Sequence, residues 1–219
     1  MGKSVRFPCP DGSEAEGYLA EAPGARAGVV LLQEWWGLND NIQGIADRLA
    51  AAGFTTLAPD LYHGRVTTVA DEANHMMDGL DWVGATAVEV QGGLSHLKKS
   101  VSKAGVMGFC MGGALTIIAC AKLKECDAGV CYYGIPPEDQ ARPAQIRVPF
   151  QGHFADLDDW CTPTLVRKFE AGLKGLHIPH EIHRYPVDHA FFNETLVEYD
   201  AEAAKLSWER SLAFLRMHL

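Results

Sequence analysis

The sequence predicts an α/β fold in which a mostly parallel central sheet is flanked by helices on both faces. Short apolar runs alternate along the chain with segments whose apolar residues recur at helical spacing, which is the pattern of βαβ units. The run 28–32 is continuously apolar, as expected for a strand buried on both faces. No linker, internal repeat or low-complexity stretch interrupts this order, so we expect a single domain over residues 1–219.

Seven segments are predicted to be strands from their apolar and β-branched residues. In chain order they cover residues 14–20, 28–33, 54–58, 105–109, 128–133, 148–151 and 180–185. Pro59 ends the third of these strands, because proline has no N–H group to donate to a neighbouring strand.

The helices are predicted from apolar periodicity and from signals at their ends. Asp40 and Gln43 form a capping pair at the start of the first helix, and Gly53 ends it. Further helices are expected over roughly 70–99, Met111–Lys122 and Pro163–Gly172. The last helix would pack one apolar stripe against the sheet, formed by Ala204, Trp208, Leu212, Leu215 and Leu219.

Charge and hydropathy disfavour two classes of partner. The chain has 19 lysine and arginine residues against 28 aspartate and glutamate residues, which gives a net charge of −9. Nucleic acids and anionic membrane surfaces both bind basic faces, so this acidity argues against both. No apolar run reaches the roughly 18–20 residues that cross a bilayer. We therefore expect no nucleic-acid partner and no membrane partner.

The cysteines and the N-terminal sequence predict the compartment. Six cysteines lie in apolar contexts without a Cys-x-x-Cys pair, which is typical of reduced thiols. The first residues lack the apolar core of a secretion signal, so we expect a cytoplasmic protein. His177, His180 and His183 are spaced by three, but the strand predicted there opposes a helical metal site. No metal and no cofactor are expected.

The most informative motif is Gly108-Phe109-Cys110-Met111-Gly112-Gly113, between a predicted strand and a predicted helix. It matches the Gly-x-Ser-x-Gly nucleophile elbow with cysteine in the serine position. Small residues two places before and after the nucleophile let the strand and the helix pass close to it. The first N–H groups of the helix and its dipole favour a developing oxyanion. A glycine-rich turn with a buried cysteine is the alternative interpretation.

Two later segments supply the partners that a cysteine nucleophile needs. Asp158 follows the strand at 148–151, and His189 follows the strand at 180–185. The chain order is then nucleophile, acid, base, as in hydrolases that use this elbow. All three residues lie past the carboxyl ends of strands, where open parallel sheets place their sites.

With these residues placed, the chain resembles the dienelactone hydrolase family, which has the α/β-hydrolase fold. The stretches that carry the resemblance are 31–39, 58–62, 108–113, 132–134, the Asp158 region and His189. The resemblance implies that Cys110 is the nucleophile, His189 the general base and Asp158 the group that orients His189. By its spacing to the other two residues, the family's aspartate falls on Asp158, and Asp159 is the alternative.

The resemblance also implies roles for residues around position 34. The backbone N–H groups of Trp35 and Met111 would form the oxyanion hole. Glu34 matches the family's glutamate, which keeps the thiol unreactive until substrate displaces the glutamate. Physical chemistry leaves the role of Glu34 open, because a nearby carboxylate can accept the thiol proton of Cys110 or oppose its ionisation.

The sequence departs from the family where its namesake enzymes hold a carboxylated lactone with arginines. The residue four places after the catalytic histidine is Asn193, and residues 70–100 contain no arginine. Without guanidinium groups the bidentate recognition of a carboxylate is lost. Asp71, Glu72 and Asp78 in the same region would repel an anionic lactone.

The aromatic residues near the catalytic positions favour a neutral or aromatic substrate. Trp36, Trp160 and Phe191 are expected to line a substrate pocket together with Asn193. The alternative for each aromatic residue is a place in the core.

The sequence thus predicts a cofactor-free hydrolase of carboxylic esters or lactones that forms an acyl-enzyme on Cys110, with dienelactone itself disfavoured as substrate. An activated phosphotriester could be attacked at the same site. The rival hypotheses are a redox-responsive thiol protein without turnover and a non-catalytic binding module on a hydrolase fold. We expect a monomer or a weak homodimer.

Overall fold

The computed structural model describes residues 1–219, and eight strands form one sheet. The strands are β1 (Lys3–Pro8), β2 (Glu14–Ala20), β3 (Ala27–Leu32), β4 (Thr55–Pro59), β5 (Lys103–Phe109), β6 (Gly129–Tyr132), β7 (Phe150–Ala155) and β8 (His180–Tyr185). Their order in the sheet is β1-β2-β4-β3-β5-β6-β7-β8. The six strands from β3 to β8 pair in parallel, whereas β2 pairs antiparallel with both β1 and β4. The predicted mostly parallel α/β fold is confirmed.

Seven α-helices connect or cover these strands. They are α1 (Asp40–Ala51), α2 (Ala70–Asp78), α3 (Trp82–Ala85), α4 (Gln91–Leu97), α5 (Met111–Lys122), α6 (Pro163–Leu173) and α7 (Ala201–His218). A π-helical turn over Thr86–Val90 joins α3 to α4. The region predicted to be helical over roughly 70–99 is helical but divided, because Asp81 accepts a hydrogen bond from the N–H of Gly84 and caps a new helix there.

Two apolar clusters lie on the two faces of the sheet, and successive strand residues alternate between them. Leu31 and Met107 belong to one cluster, while Leu32 and Val106 belong to the other. Because both faces are covered, the central strands must be apolar at every position, which explains the continuous apolar runs in the sequence. The stripe predicted on the last helix packs against the first of these clusters, as expected.

Two strands differ from their predicted positions. β1 was not expected, because it is an edge strand with mostly exposed residues that pairs only with β2. β7 begins at Phe150 and extends four residues past its predicted end at residue 151, so His153 lies within the strand. All six cysteines are buried and free. None of the helices is long and apolar enough to cross a membrane.

Candidate active site

Cys110 stands at a tight bend between β5 and α5. Its backbone has a φ of 53°, in the left-handed region that residues other than glycine rarely adopt. The bend is closely packed: a Cβ atom on Gly108 would lie 2.1 Å from the carbonyl oxygen of Gly112, and one on Gly112 would lie 2.5 Å from that of Leu32. Only glycine fits at both positions, which is the spacing that the motif predicts.

Cys110, His189 and Asp158 form a continuous hydrogen-bonded chain. The Sγ atom of Cys110 lies 3.2 Å from Nε2 of His189, and Nδ1 of His189 lies 2.6 Å from Oδ2 of Asp158. The second oxygen of Asp158 accepts hydrogen bonds from the backbone N–H groups of Trp160 and Cys161. Asp158 is buried, whereas the alternative acid, Asp159, is exposed. The three residues meet although they are separated by up to 79 positions along the chain.

His189 is held in a strongly cation-favouring environment. Burial by itself lowers the pKa of its imidazole, but the charge on Cys110 and the hydrogen bond to Asp158 outweigh burial and raise the pKa to about 10. The side chain remains 23% exposed, so its ring is accessible from one side. At neutral pH these surroundings therefore favour the protonated imidazole.

Glu34 is buried beside this chain but is not bonded to the thiol. Its carboxyl accepts hydrogen bonds from the hydroxyl of Tyr133, at 3.1 Å, and from the side-chain amide of Asn193. Burial raises the pKa of Glu34, while the Asn193 hydrogen bond, the nearby His189 charge and the Tyr133 hydrogen bond oppose that rise. The sulfur of Cys110 instead has His189 as its hydrogen-bonding partner.

Tyr133 lies in the 132–134 stretch that carries the family resemblance, but no role at the site was predicted for it. It follows β6 with a φ of 36°, its ring edge meets His189 at a centroid distance of 4.9 Å, and its hydroxyl holds Glu34. The next residue, Gly134, passes against the nucleophile bend, where a Cβ atom would lie 2.2 Å from the carbonyl oxygen of Cys110. The sequence signal for this contact is a glycine directly after two tyrosines at a strand end.

Two backbone N–H groups remain free near Cys110. Neither Trp35, in the turn after β3, nor Met111, the first residue of α5, donates a backbone hydrogen bond to another carbonyl. The first residues of a helix have no intrahelical acceptor, so Met111 is free for that reason. The fold therefore leaves both N–H groups without a carbonyl partner.

The four residues expected to line a pocket fall into two groups. Trp160 is 41% exposed and meets the His189 ring edge-on at 5.3 Å, while Trp36 is half-buried and packs on the ring of Trp35. Phe191 and Asn193 have almost no exposed surface. They lie behind the catalytic chain, Phe191 among three tyrosines and Asn193 on Glu34, instead of facing an open pocket.

No group of three or more histidine, cysteine, aspartate or glutamate side chains is arranged to hold a metal ion. The three evenly spaced histidines do not converge on a common site. His177 and His180 are exposed, and His183 bonds to Glu181 on the same strand.

Comparisons with known proteins point to one family. The model of the dienelactone hydrolase family matches residues 15–219. A protein named usf from Aquifex pyrophilus is 31% identical, and a protein of Aquifex aeolicus that is provisionally named a carboxymethylenebutenolidase is 30% identical; each alignment covers 100% of both chains.

Solved structures share the fold at lower identity. A provisionally named dienelactone hydrolase from Klebsiella pneumoniae superposes with a TM-score of 0.86 at 22% identity, covering 100% of both chains. A dienelactone hydrolase-like promiscuous phosphotriesterase from metagenomic libraries superposes with a TM-score of 0.83 at 22% identity, covering 99% of this chain and 98% of that one.

Proposed function

The chain belongs to the dienelactone hydrolase family, and from that premise we propose that it hydrolyses carboxylic esters and lactones through an acyl-enzyme on Cys110. The observation that carries the proposal is the continuous contact from Sγ of Cys110 through His189 to the buried carboxylate of Asp158. A nucleophile, a base within hydrogen-bond reach and a third group that orients the base are the arrangement needed for nucleophilic catalysis.

In the proposed reaction His189, whose Nε2 lies 3.2 Å from Sγ of Cys110, takes the thiol proton. The sulfur of Cys110 attacks the carbonyl carbon, and the electron pair moves onto the carbonyl oxygen. The free N–H groups of Trp35 and Met111 stabilise this oxyanion. When the tetrahedral intermediate collapses, His189 gives its proton to the departing alkoxide.

Hydrolysis of the thioester completes the cycle. His189, now neutral, removes a proton from water, which attacks the acyl carbon, and the thiolate leaves. Asp158 holds the imidazole in one orientation throughout and stabilises its protonated form. A thiolate forms the acyl-enzyme readily, so esters with good leaving groups should be cleaved fastest and deacylation should limit turnover.

We assign Glu34 a supporting role in this state. Its carboxyl is held by two donors, Tyr133 and Asn193, and the ring of Tyr133 packs against His189. Glu34 therefore fixes the ring that supports the catalytic imidazole, and His189 accepts the thiol proton. Release of the carboxyl from Asn193 would be required before it could contact Cys110 and silence the thiol as the family resemblance implies.

The substrate class follows from the charges near the site. At Asn193, where the family resemblance implies an arginine that holds a carboxylate, the side-chain amide is instead bonded to Glu34. Asp71, Glu72 and Asp78 on α2 are exposed. An anionic lactone gains no bidentate partner from these residues. We therefore propose neutral, predominantly aryl or enol, esters and lactones as substrates.

Activated phosphotriesters are a second candidate, favoured by the fold shared with a promiscuous phosphotriesterase at a TM-score of 0.83. An uncharged phosphorus centre with a good leaving group presents the same requirements as an aryl ester: a nucleophile, donors to the phosphoryl oxygen and an acid for the leaving group. The phosphorylated Cys110 would be hydrolysed more slowly than a thioester.

The decisive experiment compares Cys110→Ala with Cys9→Ala, because both cysteines are buried to the same 7% exposure. Cys110→Ala should lower kcat/KM for phenyl acetate at least about 1000-fold, whereas Cys9→Ala should leave it unchanged. Mass spectrometry of the wild-type enzyme during turnover should detect an acyl group on Cys110. Retained activity in Cys110→Ala would refute the mechanism, and peroxide-sensitive Cys110 without ester turnover would favour the redox-responsive hypothesis.

A further inference from the structure

A large groove lies next to the catalytic chain without containing any of its three residues. It has a volume of about 810 Å³ and runs between α6, the segment from residue 135 to residue 144, and the region between α2 and α3. Its walls are mainly apolar and include Leu80, Trp82, Leu165 and Phe169.

Trp160 and Cys161 form the end of this groove and connect it to the catalytic residues. Both residues line the groove, and both donate their backbone N–H groups to Oδ1 of Asp158. The ring of Trp160 also meets the ring of His189 at 5.3 Å. One indole ring therefore borders the groove and also contacts the catalytic histidine.

The chemistry of the proposed reaction assigns a side to each half of an ester. His189 delivers the proton to the leaving oxygen, so that oxygen must lie within hydrogen-bond reach of Nε2. The rest of the leaving group then extends from the His189 side of the scissile bond, which is the side where Trp160 stands. The acyl half lies on the other side of the reacting carbon.

We infer that this groove binds the leaving group of the substrate, and that the leaving group is an extended, uncharged, aromatic alcohol. This inference rests on the proposed function and specifies its substrate. Trp160 and Trp82 present aromatic surface to such a group, and Leu165 and Phe169 cover the apolar floor. A groove of this volume accommodates a group considerably larger than a single phenyl ring.

The charges along the groove favour a neutral occupant. Four charged residues line it, two acidic and two basic: Asp78, Glu138, Arg142 and Lys168. Glu138 is paired with Lys168 at 2.5 Å, and the field of Arg142 acts on the same carboxylate. The two acidic and two basic side chains balance, so the groove has no net charge to attract an ionic leaving group.

The test compares phenyl acetate with 4-phenylphenyl acetate, which share an acyl group and have leaving groups of similar acidity. In the wild-type enzyme kcat/KM should be about 10- to 100-fold higher for 4-phenylphenyl acetate, because the second ring is buried in the groove. Leu165→Glu places a charge in the groove and should remove most of this preference. Leu206→Glu is the matched control, since Leu206 is an exposed leucine on α7 away from the groove, and it should leave the preference unchanged.

A second variant guards against a misfolded Leu165→Glu protein. Ala144 is exposed on the opposite wall, and Ala144→Trp should narrow the groove and reduce the same preference at an unchanged melting temperature. Equal kcat/KM for the two acetates, with Cys110-dependent turnover of both, would overturn the groove assignment and leave the proposed function intact. In phenyl esters that differ in the acyl chain, a preference for the longer chain that is lost in Leu165→Glu would also overturn the groove assignment. Absence of Cys110-dependent turnover would overturn both proposals.

Discussion

Two histidines of this protein each have hydrogen-bonding partners at both ring nitrogens, yet one favours the protonated form and the other the neutral form. His189 follows β8 and contacts a carboxylate and a thiol. His153 lies within β7, where its Nδ1 contacts the hydroxyl of Tyr185 and its Nε2 contacts Gln151 and Ser211. The pKa of His189 is raised to about 10, whereas the pKa of His153 lies well below 6.5.

The difference shows that the partners, and not burial, decide the charge. Burial lowers the pKa of both imidazoles, and it is the largest single cause for each. At His189 the negative charges of Cys110 and Asp158 overcome burial. At His153 the partners are neutral, and the positive fields of His183 and Arg210 lower its pKa further. The surroundings of His189 favour its protonated form, which the proposed reaction uses, whereas those of His153 favour the neutral form.

The largest expected effect separates the two histidines by activity. His189→Asn should lower kcat/KM for phenyl acetate by about 1000-fold or more, because the variant lacks the group that exchanges protons with the thiol and the leaving group. His153→Gln should retain kcat/KM within about twofold at pH 8. Steady-state kinetics on both purified variants measures this contrast. A comparable loss in His153→Gln at full folding would mean that the buried histidine takes part in the chemistry.

The next effect concerns the carboxylate that keeps His189 charged. Asp158→Asn should lower kcat/KM about 100-fold at neutral pH and shift its alkaline limit to lower pH. The sign follows from the reaction: protonated His189 is the acid, so the rate falls as pH rises through its pKa of about 10. The Asp158 hydrogen bond raises that pKa, so its loss moves the fall downwards. Asp159→Asn is the control; an unmoved alkaline limit in Asp158→Asn would contradict the assignment.

The position of His189 at the site could be predicted from the sequence, whereas the burial of His153 could not. Cys110, Asp158 and His189 each follow a predicted strand in the order that the elbow motif requires, and strand ends in a parallel sheet meet at one edge. Gln151 and His153 alternate with apolar residues, which is the pattern of a solvated strand face. The structure covers that face with α7, whose small buried residue Ser211 accommodates the histidine.

Tyr133 and the groove escaped prediction for a related reason. The hydroxyl of Tyr133 meets a carboxyl 99 positions away in the chain, and no local pattern specifies such a pairing. The groove is assembled from four separate segments, so its existence depends on how the segments pack. Glu34, by contrast, was predicted at the site from the family resemblance, and it lies two residues past the end of β3, where it bonds to Asn193 and Tyr133.

A smaller effect tests the neutrality of His153 through stability against acid. Below pH 6.5 the unfolded chain protonates this histidine while the folded protein does not, so the free energy of unfolding falls as pH falls. The loss is about 1.4 kcal/mol per pH unit, or roughly 2 kcal/mol between pH 6.5 and 5. His153→Gln should be less stable at pH 7 but should lose less stability over this interval.

Urea denaturation at several pH values measures this difference. His183 and Glu181 also have shifted pKa values and titrate in both proteins, so the difference between the two slopes isolates His153. Equal slopes for the wild type and His153→Gln would show that His153 takes up its proton in the folded state.

The smallest effect belongs to the hydroxyl that connects His153 to the core. Ser211 is fully buried, and its Oγ lies 2.8 Å from the Tyr132 hydroxyl and 3.0 Å from Nε2 of His153. Ser211→Ala should lower the free energy of unfolding by about 1–2 kcal/mol, because the buried Tyr132 hydroxyl loses this partner while His153 keeps Gln151. In a Tyr132→Phe background the same substitution should cost about 0.5–1 kcal/mol less. If Ser211→Ala costs the same free energy of unfolding in the Tyr132→Phe background, Ser211 stabilises the fold through His153 alone. If Ser211→Ala also lowers ester turnover, the hydrogen-bond network around His153 is coupled to the one at Cys110.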